Sequence, residues 1–265
     1  MIEANQPVFT ATNRGYRYGD GFFETARIVN SIFPLASLHK KRIERSVALL
    51  QYIQPVTSIE NIFEQAIELS KLNGCEKNAR VRLSFFNGSG SVFDDNTALQ
   101  YVIEASPLPE SFNALNNDGL RIAICADVRK SCDTYANLKS ANYIFSRVAI
   151  ELAKKNGWDD ALILNQHNHI CESAIANIFW VKESIIYTPP LTEGCVDGVM
   201  RAYLISKINV TEKACSQQDL ADADEFFLTN ATSGIRWVKN FESKAYSNVT
   251  SKKIYNDHVA PLWLL

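Results

Sequence analysis

The sequence lacks the features that mark membrane-spanning, secreted and polyanion-binding proteins. Its apolar runs, such as residues 161–164 and 185–187, are short and bounded by polar residues, whereas a bilayer-spanning helix needs about 20 apolar residues. Its net charge of -2 supplies no field that would attract nucleic acid or an anionic membrane. Glu3 stands where a signal peptide carries a base, and no apolar stretch follows it. We therefore expect a cytoplasmic protein with no nucleic-acid partner and no membrane partner.

Cysteine and histidine are too sparse and scattered to indicate a disulfide framework or a metal site. The six cysteines contain no CxxC pair, so we expect free thiols, several of them in the core. Only four histidines occur. The grouping of both residue types at residues 167–171 lacks a fourth ligand at a usual zinc spacing. A solvated hairpin arm explains that grouping better than a metal ion, and we expect no metal.

What the sequence does contain is an ordinary globular composition with clear local patterns in its first third. A chain of 265 residues that is 46% apolar can bury roughly three-quarters of its unfolded surface. Apolar residues recur at helical spacing over 43–50 and 62–72, and alternate with polar ones over 81–85 as in a half-buried strand. Residues 13–21 are predicted to be a loop, followed by a strand over 22–29.

The pattern changes near the middle of the chain and predicts a domain boundary there. Pro107 and Pro109 lie among polar residues, which is typical of a linker. We place the linker at residues 108–113. It separates a small N-terminal domain, residues 1–107, from a larger domain, residues 114–265.

The larger domain is predicted to have more strands than long helices. Helices are expected near 143–155 and 199–207, and a hairpin turn near 166–169. Strands are predicted at 120–127, 160–165, 175–181 and 185–187. We therefore expect an α+β protein with a small α/β N-terminal domain and a larger C-terminal domain on a mixed, barrel-like sheet.

Three segments contain residues that could carry chemistry. Lys139 lies among small and apolar residues before a predicted helix, where partial burial would lower its pKa and favour a Schiff base. Glu172 precedes an apolar strand and could face a buried cation or a ring nitrogen. Gly198 begins a helix whose free amides would suit a phosphate. Taken singly, a surface lysine, a solvated acid and an empty helix start are the commoner cases.

Together, these segments occur in an order and spacing that resemble a known family over nearly the whole chain. The matching blocks are 18–25, 39–42, 80–83, 138–140, 172–180, 187–189, 198–201 and 224–231. They resemble the class IV aminotransferases, the fold type IV pyridoxal-phosphate enzymes. That family includes branched-chain and D-amino-acid aminotransferases and 4-amino-4-deoxychorismate lyase.

The resemblance implies a pyridoxal 5'-phosphate cofactor held by three side chains. Lys139 matches the lysine that forms the Schiff base and moves the Cα proton. Glu172 matches the carboxylate that faces the pyridine nitrogen and keeps it protonated. Arg42 matches the arginine that clamps the phosphate, since its planar fork suits that anion.

The resemblance also implies roles for four further residues. The backbone amides of Val199 and Met200 would add to the phosphate cradle. Tyr143 lies near the tyrosine that hydrogen-bonds the ring hydroxyl in branched-chain enzymes. Arg82 matches a strand arginine near the substrate carboxylate, and an arginine pointing to solvent is an equal alternative.

Three departures from the common aminotransferase pattern bear on the activity. Met200 replaces a threonine, and Asn230-Ala231 replace a Gly-Thr pair, so two phosphate-binding hydroxyls are missing. Thr229 and Thr232 are the candidates to replace them. Asn87 stands where an arginine is often found, which removes one candidate for binding the substrate carboxylate.

The replacements at 200 and 230–231, with block 176–180 and the short chain, favour 4-amino-4-deoxychorismate lyase. A branched-chain or D-amino-acid aminotransferase is the alternative. An inactive cofactor-binding module is a third interpretation, which the presence of both Lys139 and Glu172 disfavours. In each active case the substrate is a small amino compound, and the resemblance implies a homodimer with the cofactor between the two domains.

Overall fold

The computed structural model describes residues 6–264. Residues 1–5 and residue 265 lie outside the described part. The predicted domain ranges include these residues, and Glu3 is one of them.

The N-terminal part builds a three-stranded antiparallel sheet covered on one face by helices. Its elements are α1 (Arg14–Tyr18), β1 (Gly21–Val29), α2 (Ala36–Leu49), α3 (Ile59–Leu72), β2 (Asn78–Phe86) and β3 (Gln100–Pro107). The strand order is β1-β2-β3. Alternate residues such as Ile28, Val81 and Leu83 are buried against Ile43 and Ile62 of the helices. The opposite face of the sheet is left for the rest of the chain.

The loop predicted over 13–21 is wrong in one respect, because α1 lies inside it. The Asn13 side chain accepts a hydrogen bond from the Tyr16 backbone N–H at 3.0 Å and caps the first turn. Gly19 then ends the helix in the left-handed conformation, with φ 66°. A helix of five residues is too short to show an apolar period, so the pattern could not indicate it.

The C-terminal part builds a nine-stranded mixed sheet that curls into a half-barrel. Its elements are β4 (Leu120–Lys130), α4 (Ile144–Asn156), β5 (Asp160–Asn165), β6 (Ile170–Ser173), β7 (Asn177–Lys182), β8 (Ile185–Thr188), α5 (Val199–Lys207), β9 (Val210–Glu212), α6 (Gln217–Asp222), β10 (Glu225–Asn230), β11 (Gly234–Phe241), β12 (Lys244–Ala245) and α7 (Val249–Ile254). The strand order is β6-β5-β4-β11-β10-β7-β8-β9, and β12 pairs with β11. The predicted mixed α+β class with a barrel-like sheet is confirmed.

Most predicted elements of this part are present with shifted ends. The hairpin expected near 166–169 joins β5 to β6, which pair antiparallel. The strand predicted over 175–181 begins at Asn177, because Ala176 and Ser173 form a turn in which the Ser173 hydroxyl accepts the Ala176 N–H. The sequence pattern did not predict β10 and β11, whose hairpin closes the centre of the sheet.

Residues 108–113 connect the two sheets, and Glu110–Asn113 form a short 3-10 helix there. All three strands of the first sheet precede this segment, and all nine of the second follow it. The two-domain layout agrees with this arrangement. The boundary at 108–113 itself stays a prediction.

The described residues also bear on the predictions about the membrane and about the cysteines. No helix within residues 6–264 is both long and apolar enough to cross a bilayer. Five of the six cysteines are buried, and Cys132 is partly exposed. The prediction that several thiols lie in the core is confirmed.

Arg27 of β1 links the two parts of the molecule through a buried guanidinium. Its nitrogens donate to side-chain or backbone oxygens of Asn78, Phe112, Asn113 and Thr232. The guanidinium also lies 4.2 Å from the ring centre of Trp263. One side chain therefore joins the first sheet, the connecting segment and the C-terminal sheet.

Replacing Arg27 with methionine should destabilise the protein because it leaves several buried oxygens without donors. We expect Arg27→Met to lower the free energy of unfolding by about 2–4 kcal/mol, measured by urea denaturation. The control is Arg121→Met, since Arg121 is mostly exposed and its loss should cost less than about 1 kcal/mol. Equal stability of the two variants would contradict a linking role for Arg27.

Candidate active site

A cavity of about 260 Å³ lies between the two sheets, where the open face of β1 and β2 meets the C-terminal part. Six of the seven residues to which the resemblance gave a role line it: Arg42, Arg82, Lys139, Tyr143, Glu172 and Val199. Met200 does not. A neighbouring cavity of about 200 Å³ shares Lys139, Tyr143 and Glu172 with it. The predicted residues, scattered over the chain, therefore converge on one place.

Lys139 lies just before α4, and its backbone is tied to the N-terminal sheet. Its carbonyl accepts the Phe23 N–H at 2.9 Å, and its Nζ lies 4.5 Å from the Phe23 ring centre. Burial, with the nearby Arg42 charge, lowers the pKa of Lys139 to about 8, although Glu24 and Glu172 oppose that shift. A neutral amine is therefore available near neutral pH.

Glu172 of β6 is buried, and both of its oxygens have partners. Oε1 forms an ion pair with Lys130, and Oε2 accepts the Val196 backbone N–H at 2.8 Å. Burial alone would lower the pKa of Lys130, but the Glu172 carboxylate outweighs it and raises that pKa. The pair places a charged carboxylate at the cavity wall.

Arg42 of α2 is held by a buried carboxylate on β1. Its Nε donates to Glu24 Oε1 at 2.7 Å and its Nη2 to Glu24 Oε2 at 2.6 Å, and His39 Nδ1 lies 2.6 Å from Oε2. Burial alone would raise the pKa of Glu24, but Arg42 and His39 lower it to about 2. The remaining Nη1 donates to the Asp197 carbonyl at 3.0 Å, beside the start of α5.

The start of α5 is a helix N-terminus whose amides have no side-chain cap. Val199 is the first helical residue and lines the cavity. The Met200 side chain is instead fully buried in a core cluster with Phe179 and Leu204, so only its backbone can contribute here. Gly198 allows close packing, because a Cβ there would lie 1.8 Å from Asn177 Oδ1.

The hairpin between β10 and β11 brings one unpaired hydroxyl to the cavity. Thr229 Oγ1 is buried and has no hydrogen-bond partner among the described residues, and Thr229 lines the cavity. The Thr232 hydroxyl is already used, since it donates to Asn230 Oδ1 at 3.0 Å. Of the two threonines considered from the sequence, Thr229 is thus the one available to a ligand.

Tyr143 and Arg82 both contact Phe23 at the cavity wall. The Tyr143 hydroxyl donates to the Ala174 carbonyl at 3.2 Å, and burial raises its pKa. The Arg82 guanidinium lies 3.7 Å from the Phe23 ring centre, which orients it toward the cavity that it lines. Asn87 lies elsewhere and is buried in a loop, where its side chain bonds Asn96 at 3.1 Å.

Sequence reasoning gave no role to three residues that the structure places in or beside the site. Glu24 and Lys130 hold Arg42 and Glu172 in place, and Arg80 lines the cavity. A charged residue in the apolar run of β1 was the signal available for Glu24. No local signal marked Lys130. Within residues 6–264, no group of three or more His, Cys, Asp or Glu is placed to hold a metal ion.

Comparison with known proteins shows the family of this chain. A family model described as amino-transferase class IV matches residues 21–241. Aminodeoxychorismate lyase of Bacillus subtilis is 30% identical over 242 residues, which cover 87% of this chain and 80% of that protein. The chain belongs to the class IV aminotransferases, which are pyridoxal-phosphate-dependent transaminases or lyases.

Two further relatives extend this comparison. A candidate branched-chain-amino-acid aminotransferase of Methanocaldococcus jannaschii is 29% identical over 258 residues, covering 94% of this chain and 88% of that protein. The solved structure of a candidate 4-amino-4-deoxychorismate lyase from Legionella pneumophila superposes with a TM-score of 0.84 at 27% identity. It covers 98% of both chains. Relatives with two different activities thus span most of the sequence.

The lowered pKa of Lys139 predicts how the apoprotein takes up pyridoxal phosphate. Only the neutral amine attacks an aldehyde, so the uptake rate should rise with pH to about 8 and level off beyond it. Visible absorbance after mixing measures the rate, with N-acetyl-lysine methylamide as a control for an amine with the ordinary pKa of 10.5. If the rate for the protein kept rising up to the same pH as the rate for the control amine, the buried environment of Lys139 would be contradicted.

Proposed function

We propose that this protein is a 4-amino-4-deoxychorismate lyase, which splits its substrate into 4-aminobenzoate and pyruvate. The observation that carries the proposal is the 30% identity with the Bacillus subtilis aminodeoxychorismate lyase over 87% of the chain. The Legionella pneumophila structure, which covers 98% of both chains, supports it.

Local features at the phosphate end of the cavity agree with this assignment. Met200 is a core residue and supplies no hydroxyl, and Asn230 replaces a glycine of the common aminotransferase pattern. Asn230 Oδ1 accepts four hydrogen bonds from Thr232 and Ser233. This turn fixes the loop that carries Ala231 into the cavity wall.

The residues around the cavity fit pyridoxal phosphate. The buried, unpaired Thr229 hydroxyl and the uncapped start of α5 lack partners that an anion would supply. Together with Arg42 and the amides of Val199 and Met200, they would hold the phosphate. Lys139 would bond the aldehyde carbon, and Glu172 would face the ring nitrogen. Tyr143 would lie near the ring hydroxyl.

Bound pyridoxal phosphate supplies an electron sink that stabilises negative charge on the substrate carbon bearing the amine. The protein's part in the lyase reaction is to position the substrate and to move one proton. Lys139 Nζ removes the proton from that carbon, which its lowered pKa makes possible near neutral pH. The C–O bond between the ring and the enolpyruvyl group then breaks as the ring becomes aromatic, and the departing enolpyruvate takes the proton back from Lys139 to give pyruvate. Arg82 orients the substrate through a carboxylate.

A branched-chain or D-amino-acid aminotransferase is the second candidate. The 29% identity with the Methanocaldococcus jannaschii protein over 94% of this chain favours the branched-chain activity. Both activities begin with the same proton removal by Lys139, and they differ in where a proton is returned. For either one we propose a cytoplasmic homodimer whose cofactor lies between the two domains.

The lyase and the transaminase are distinguished by their need for a keto acid. The purified, cofactor-loaded protein should convert 4-amino-4-deoxychorismate to equal amounts of 4-aminobenzoate and pyruvate over many turnovers with no keto acid present. Fluorescence measures the first product, and coupled lactate dehydrogenase measures the second. In parallel, L- and D-amino acids are added separately. Conversion of the cofactor to its pyridoxamine form by one of them, without lyase turnover, would favour the transaminase.

Two substitutions test the roles proposed for Lys139 and Glu172. Lys139→Ala should lose the visible absorbance of lysine-bound cofactor and all turnover. Glu172→Ala should keep the cofactor but react slowly, by about 100-fold or more, because the electron sink is weaker. Glu172→Gln serves as a second variant of nearly the same shape, although its single side-chain oxygen can accept from Lys130 or from the Val196 N–H but not from both. Full activity of Lys139→Ala would rule out the assignment.

A further inference from the structure

We propose that the cavity recognises a substrate with two carboxylates, of which Arg82 binds the ring carboxylate and Arg80 the enolpyruvyl carboxylate. The identity of that substrate rests on the proposed function, since 4-amino-4-deoxychorismate carries two carboxylates. The evidence for recognition of two carboxylates comes from the side chains of β2 and of the adjacent strands. It is therefore open to a test that involves no turnover.

The two arginines occupy equivalent positions on one face of a strand. Arg80 and Arg82 alternate along β2 with Val81, which is fully buried in the N-terminal core. Residues two apart on a strand lie about 6.6 Å apart along it, on the same face. Both arginines line the cavity. They therefore present two guanidinium groups to one ligand.

Arg82 is held so that its terminal nitrogens remain free. Its Nε donates to Ser84 Oγ at 3.1 Å and lies 3.7 Å from Glu104 Oε2. The guanidinium plane is supported by the Phe23 ring. Neither Nη atom has a hydrogen-bond partner in residues 6–264, so the planar fork is available for a carboxylate.

Arg80 has no hydrogen bond or ion pair in the described part of the chain. Its neighbours across the strands are Arg27 on β1 and Ser106 on β3. Neither is an acid, and the Arg27 guanidinium is occupied by its own oxygen acceptors. Arg80 is exposed at the cavity rim, where a ligand carboxylate can reach it.

Two other charged side chains that line the cavity, Arg42 and Glu172, already have ion-pair partners. Arg42 is paired with Glu24, and Glu172, the one acid that lines the cavity, is paired with Lys130. The charge of Arg80 is left without a counterion, and that of Arg82 is only partly offset by Glu104 at its exposed side. Two like charges on one strand face repel each other. Two carboxylates on one ligand would remove that repulsion and form charge-assisted hydrogen bonds.

Calorimetric titration of the cofactor-loaded protein with chorismate tests this proposal. Chorismate carries both carboxylates and has a hydroxyl in place of the amine, so it reports binding without reaction. Arg80→Gln should weaken chorismate binding by about tenfold and change the binding of 4-aminobenzoate, which has one carboxylate, by less than about twofold. Arg121→Gln removes an exposed arginine outside the cavity and should change neither.

Each outcome decides the proposal separately from the lyase assignment. Unchanged chorismate binding in Arg80→Gln would overturn it. Equal weakening for both ligands would also overturn it, because that result indicates only a loss of positive field. If Arg80→Gln weakened the binding of chorismate selectively and the protein showed no lyase turnover, recognition of two carboxylates would be supported and the proposed reaction would be contradicted.

Discussion

The arrangement of the site depends on one buried carboxylate, that of Glu24. A carboxylate away from water is costly unless charged partners surround it, and here Arg42 takes both oxygens while His39 adds a third contact. This pairing fixes Arg42 on α2 against the Asp197 carbonyl that precedes α5. The positions of a strand, a helix and a helix start are thus set together. The interaction that satisfies the fold also orients the cation that we propose for the phosphate.

Strands β1 and β2 form one wall of the cavity. Successive side chains on a strand point to opposite faces of the sheet, so one set packs in the core and the other set lines the cavity. On β1, Ile28 points into the N-terminal core while Phe23 and Thr25 line the cavity. β2 repeats this arrangement with Val81 on one side and Arg82 on the other. Side chains on a paired strand move less than those on a loop. The Phe23 ring, held on such a strand, contacts both Lys139 and Arg82 and so positions two cations of the cavity.

How far the sequence predicts this molecule depends on the range of the interaction concerned. Apolar periods over 43–50 and 62–72 predicted the long helices α2 and α3, whereas α1, with five residues, left no such period. The family blocks brought Lys139 and Glu172 to one expected site, and the structure places both at the same cavity. The partner of Glu172 is different: Lys130 lies 42 residues away, and no local pattern states which lysine the curled sheet will bring back. Pairings between distant charges follow only from the assembled sheets.

Arg27 has a consequence for how the protein is made. Its acceptor on Thr232 lies 205 residues further along the chain, and Trp263, against which it stacks, is still more distant. At a synthesis rate of about 5–20 residues per second, the Thr232 carbonyl is made roughly 10–40 s after Arg27. During that interval the first sheet can bury its own apolar core against α2 and α3, while the face that bears Arg27 remains exposed to water. On the ribosome, the half that carries Phe23 and Arg82 is therefore complete as a sheet long before it has a cavity.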